Sequence, residues 1–203
     1  MDRFHIMTSP LHRVAHIISW VISPVVVAPA VYAAVVMLGF GHDARHIYYL
    51  SILFVASTLL PVIFITWLKQ RGKISDFNIS LRQQRYQPLL LITLVNAAGC
   101  SWIMASGAPP LLSGILLFNS VNTVILLLVT LQWKISIHLF TLTSAIALLF
   151  MQFGFPAFWL LPVVPLLMWS RIRLKAHNFM QTLVGGLIGF MLMLAELKWW
   201  TGS

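Results

Sequence analysis

Ser170-Arg171, followed six positions later by His177, is the set of residues in this chain best suited to chemistry on an anion. A guanidinium offers a planar fork of N–H donors that matches phosphate oxygens. An imidazole can act as a nucleophile or carry a proton near neutral pH. If a helix begins near His177, its backbone N–H groups and dipole favour an anion there, and Gln181 shares the face of His177. Two further clusters carry similar residues. In Lys134-Ile-Ser136-Ile-His138, a helix that begins there can present the Ser136 hydroxyl and the backbone amides to an anion, and His138 can give a proton to a leaving oxygen. Between Lys73 and Pro88, Arg82 and Arg85 lie three apart and face one way if helical. Asp76 has two open roles there: neutralising the cations around it, or orienting a catalytic imidazole. A plainer reading exists for each cluster, as interfacial cations whose heads reach lipid headgroups and an interfacial His beside a capping Ser. We adopt the plainer reading for Arg173 and Lys175 and the chemical one for Arg171 and His177.

These residues are set in a lipid-like chain. Of its 203 residues 60% are hydrophobic and 8% charged, against about 25% charged in an ordinary soluble domain. The chain therefore reads as an integral membrane protein. Backbone groups in hydrocarbon must be satisfied internally, and the apolar runs are continuous rather than alternating, so the spans are helices and not barrel strands. Spans are expected over 14–38, 47–68, 88–106, 110–132, 138–154, 156–169 and 178–197. The expected fold is an all-α polytopic transmembrane bundle of six or seven spans, a single integral membrane domain over residues 1–203. Pro24 and Pro29 should kink the first span, Pro109-Pro110 should mark a reversal, and Gly185, Gly186 and Gly189 permit close helix contact. Trp20, Trp67, Trp133, Trp169 and Trp199-Trp200 fall near span ends, as an aromatic belt does.

The net charge of +9 sits at span ends, which fits membrane lipids and a phosphorylated lipid as partners better than nucleic acid. The single cysteine, Cys100, excludes an intramolecular disulfide and a metal centre built on several thiolates. His5, His12 and His16 read as interfacial residues, and the compact group His42, Asp43 and His46 could take a metal, which is not the favoured reading; no metal and no cofactor are expected. Two spans precede the first cluster, two separate it from the second, and two more separate the second from the third. All three clusters should then share one membrane face. That face holds eleven Lys and Arg, counting Arg3 and Arg13, whereas the other holds only Arg45 and Lys198. The positive-inside rule makes it cytoplasmic, and the expected setting is a bacterial inner membrane.

The three clusters together resemble the type-2 phosphatidic acid phosphatases, a superfamily of membrane lipid phosphatases. Its signature runs Lys-x6-Arg-Pro, then Pro-Ser-Gly-His, then Ser-Arg-x5-His-x3-Asp. Ser170-Arg171-x5-His177 has the third part's residues at its spacing, with Gln181 in place of the final Asp. Ser136-Ile137-His138 keeps Ser-x-His, with Ile135 and Ile137 in place of Pro and Gly. Arg82 and Arg85 fall in the region of the first part, without a Lys seven residues before either. The motif-bearing core runs over about 73–193. The resemblance implies a lipid phosphate or diphosphate monoester as substrate, hydrolysed without a metal. It implies His177 as the nucleophile that forms a phosphohistidine and His138 as the general acid. Arg171, Ser136 and Arg82 or Arg85 would hold phosphate oxygens, and Lys134 would stand in for the family's Lys. Gln181 lacks the carboxylate that orients the nucleophile in the family, so either Asp76 replaces it, or the site is a weak catalyst, or it binds without turnover. A lipid-phosphate binding or transport protein without turnover is the alternative.

Overall fold

The computed structural model describes residues 10–41 and 43–202. Arg3, His5 and His42, named above, lie outside them. Among the described residues the chain is all helical. Helix α1, Pro10–Val21, turns Ala15 and Ser19 inward and Leu11, Val14, Ile17 and Trp20 outward. Helix α2, Pro24–Gly39, follows after a bend of 44°. The expected first span is thus two helices. Pro24 has no N–H to continue α1, but its fixed φ suits the first turn of α2, and Ser23 before it is held extended. Helix α3, Ala44–Gln70, starts on Asp43, whose carboxylate accepts from the Arg45 amide at 2.9 Å, and contains a π-helical turn at Val55–Leu59. Pro61 explains that turn, because its ring crowds the Ser57 carbonyl and supplies no donor to it.

Helix α4, Tyr86–Ala105, reverses through Pro109 into α5, Pro110–Gln132. Helix α6, Ile137–Phe153, is capped by Ser136. A 3-10 segment, Phe155–Leu160, leads into α7, Val163–Arg173, and α8 spans Phe179–Thr201. Among the described residues five helical stretches are long and apolar enough to cross a membrane, six with the bent α1–α2 pair, and α6 is shorter at 17 residues. That length is about 25 Å, short of a hydrocarbon core of about 30 Å. Since α6 buries most of its side chains in protein, it need not match the lipid.

Helices α6 and α8 run parallel and form the most extensive helix contact, which fixes the site. Gly185 and Gly189 are four apart on α8 and face α6. A Cβ on Gly185 would lie 2.8 Å from the Ser136 carbonyl oxygen, and one on Gly189 would lie 2.7 Å from Thr143 Oγ1 and closer still to the Phe140 carbonyl. Only glycine lets the two backbones approach this far. Ser144 Oγ then donates to the Gly189 carbonyl at 2.9 Å. Because the helices are parallel, both N-termini open at the same end of the bundle.

Candidate active site

Three connecting segments meet at that end: 71–81, 133–136 and 174–178. Arg85 ties the first to the second. It is 2% exposed, and its Nε donates to the Ile79 carbonyl at 2.9 Å while Nη1 donates to the Ile135 carbonyl at 3.0 Å. Two of its five N–H donors are thereby used. The second segment is tied to the head of α8, just past the third, where the Ser136 amide donates to the Gln181 carbonyl at 3.1 Å. Arg171 is also 2% exposed; its Nη1 donates to Ser19 Oγ on α1 at 2.6 Å, and its Nε has no partner. Ser170 Oγ braces the same helix through the Ala15 carbonyl at 2.6 Å. Among the described residues neither buried guanidinium is paired with a carboxylate. Buried cations left this way are costly and call for an anion.

His177 is buried at the head of α8. Its Nδ1 meets Gln181 Oε1 at 3.2 Å. The same oxygen takes the Asn178 amide at 3.2 Å, and Asn178 Oδ1 takes the Gln181 amide at 2.9 Å, a reciprocal cap of the helix. A backbone N–H can only donate, so the Gln181 atom it meets is the carbonyl oxygen. That oxygen can only accept, so His177 Nδ1 carries the proton and Nε2 keeps its lone pair. Gln181 therefore does fix the tautomer that a nucleophilic imidazole needs. What it lacks is the negative charge that would stabilise a cationic imidazole.

Burial, and then Arg171, Arg85 and Lys134, push the His177 ring down to about 3, against a small upward pull from Gln181. Between its ordinary 6.5 and that value the unfolded chain takes up the proton first, so the contribution of His177 to stability is present above 6.5 and is lost as the pH falls toward 3. In a nitrogen-15 imidazole NMR spectrum at about pH 5, where an ordinary His is charged, the His177 ring is expected to remain neutral. A charged ring there would show that the cluster does not act on it. Lys134 is half-buried, and burial followed by Arg85 and Arg171 lowers its ammonium, with Asp76 opposing.

The remaining candidates separate. His138, 6% exposed, lies within electrostatic range of Arg171, His177 and Arg85, with Nε2 unpartnered. Ser136 is fully buried and caps α6, its Oγ accepting the Leu139 amide at 3.5 Å. Asp76 does not reach His177. Its carboxylate accepts from Ser75 Oγ at 3.0 Å and from the amide and hydroxyl of Ser80 at 3.1–3.3 Å. It folds its own loop and acts on the cations only through its field, which corrects the expectation that it might orient the imidazole. In the phosphatase that the resemblance implies, Asp76→Asn is therefore expected to keep turnover within about tenfold of wild type, far from the roughly 10⁴ loss when a carboxylate that orients a catalytic His is neutralised. Phosphate-release rates of the two proteins check this. Arg82 is half-buried at the start of the 3-10 turn Arg82–Arg85 and makes neither of the hydrogen bonds that Arg85 makes. Ser19 escaped the sequence reading, since a Ser in an apolar run shows no sign of its distant partner.

Arg85 and His138 also line a cavity of about 390 Å³ that extends between the helices to Asn96 and Asn122. The chain matches no family model, no curated protein and no solved structure.

Proposed function

We propose that this cluster is the active site of a membrane lipid phosphatase acting on a lipid phosphate or diphosphate monoester, of the phosphatidate or polyprenyl diphosphate type. The single observation that carries the reading is His177, held by Gln181 with its lone pair on Nε2, in range of two buried guanidiniums that pair with no carboxylate among the described residues. Arg171 and Arg85 hold the phosphate oxygens through their free N–H donors, with Lys134 at the edge. His177 Nε2 attacks phosphorus, the bond from phosphorus to the lipid oxygen breaks, and His138, protonated once the bound phosphate dianion offsets the guanidiniums, gives that oxygen its proton. Water then attacks the phosphohistidine, His138 takes the proton back, and phosphate leaves. The cavity below Arg85 and His138 takes the hydrocarbon chain.

A second reading rests on Gln181. Without a carboxylate the cationic imidazole is poorly stabilised, which fits a lipid-phosphate binding or transport protein with no turnover. Phosphate release from a panel of lipid phosphates and diphosphates in mixed micelles separates the two. Release by the wild type supports the phosphatase. Binding of the same lipids with no release supports the second reading.

The excess of Lys and Arg at the site places it on the cytoplasmic face of a bacterial inner membrane in this proposal. A cysteine introduced at Lys73 is expected to resist an impermeant maleimide in intact cells, and one at Lys198 to react. The opposite labelling would put the site on the outer face.

A further inference from the structure

Away from the cationic cluster, neutral polar side chains cross the interior of the bundle. Ser57 Oγ on α3 donates to Asn96 Oδ1 on α4 at 2.7 Å, and Asn119 Nδ2 on α5 donates to the Tyr32 hydroxyl on α2 at 2.6 Å. These pairs are closed. Helices α3 and α5 both run toward the cluster, so Thr58 and Asn122 stand on its side of them. Both line the cavity, at 7% and 2% exposed, and Thr58 Oγ1 and Asn122 Oδ1 have no hydrogen-bond partner among the described residues. The orientation of the Asn122 amide is set by Glu196 on α8, whose Oε2 accepts from Nδ2 at 2.8 Å. Its free atom is therefore a carbonyl oxygen, which asks for a donor. The Thr58 hydroxyl can give a hydrogen bond or take one.

Such atoms in an apolar interior cost about 1–3 kcal/mol each. Thr58 also sits in the π turn, a departure from regular helix that gathers at functional sites.

We propose that this level of the cavity binds a hydroxyl carried partway along the hydrocarbon chain of the ligand. A hydroxyl donates to Asn122 Oδ1 and accepts from Thr58 Oγ1, satisfying both at once; a plain chain satisfies neither. The position follows from α4, where Asn96 lies eleven residues beyond Arg85, or about 16 Å along the axis. Thr58 and Asn122 are somewhat nearer. With the phosphate at Arg85 and His138, the hydroxyl falls at mid-chain rather than beside the head. That placement rests on the phosphatase reading; the open atoms do not.

Single-chain phosphates of one length, bearing no hydroxyl or one near the head, at mid-chain or at the tail, are to be bound to the purified protein in mixed micelles. Neutral-headed versions of the same chains form a second series. The mid-chain hydroxyl is expected to bind about tenfold tighter than the plain chain, and Thr58→Val to remove the preference. Because Thr58 Oγ1 bonds nothing in the protein, Thr58→Val should keep or raise the melting temperature, and Asn122→Leu provides an independent second loss of the preference. Equal affinity at all positions, or a preference unchanged in Thr58→Val, overturns the proposal. If phosphate strengthens binding while the hydroxyl does not, the hydroxyl subsite falls alone. If the mid-chain preference holds in both series and phosphate adds nothing, the subsite stands and the phosphatase reading falls. No binding in either series overturns both.

Discussion

His177→Ala is expected to abolish phosphate release, because no phosphohistidine can form; removing a nucleophile in a hydrolase triad costs about 10⁶ in turnover. The Gln181 variants give the mechanism more detail. Gln181→Leu leaves Nδ1 without its acceptor and frees the ring to adopt the other tautomer, so a loss of about 10²-fold or more is expected, up to the roughly 10⁴ known for a mis-set tautomer. Gln181→Glu keeps the reach to Nδ1 and the helix cap, since Glu serves at this cap position as well as Gln. It also adds the missing charge, so the rate should hold or rise. Lipid binding should survive in His177→Ala, because Arg85 and Arg171 remain. Equal release by wild type and His177→Ala would remove the phosphohistidine from the mechanism.

Gly189→Ala is expected to produce the largest structural loss. The new methyl meets the Phe140 carbonyl and Thr143 Oγ1, and a carbonyl inside a helix cannot turn away. The two helices must separate, at a cost on the order of 2–3 kcal/mol for overpacking. The melting temperature should fall by roughly 5–10 °C. Turnover should fall too, since α6 and α8 position His138 and His177 against one another. Gly186→Ala is the control: its Cβ meets only Thr143 Cγ2, at 3.5 Å, an ordinary contact. Equal melting temperatures for the two variants would show that the close approach at Gly189 is not tight.

The fold class was legible because lipid leaves a chain few choices. Continuous apolar runs must be helices, and counting spans in pairs brought Arg85, His138 and His177 to one end of the bundle, where the structure places them. Local competition was not legible. Asp76 is drawn to Ser75 and Ser80 by its own loop, and a list of charges does not show that. The bend of the first span was legible from Pro24, whereas Pro29, expected to kink it as well, lies inside α2. Gln181 was read as a lost carboxylate, whereas Asn178-x-x-Gln181 is a cap pattern that fixes the imidazole. The open atoms of Thr58 and Asn122 depend on the register between helices, for which the sequence holds no marker.

The cavity reaches the surface beside the α1–α2 bend, where Trp20, Val25 and Val26 line it and are themselves exposed. These exposed side chains beside the bend suit a lipid setting, so on the proposed reading the ligand enters there sideways out of the bilayer. Its supply is then counted per lipid molecule and not per litre. Diluting a vesicle suspension with buffer should leave occupancy unchanged, while mixing an inert lipid into the same vesicles should lower it in proportion to the mole fraction. For such a protein an apparent affinity in molar units describes the micelle as much as the site.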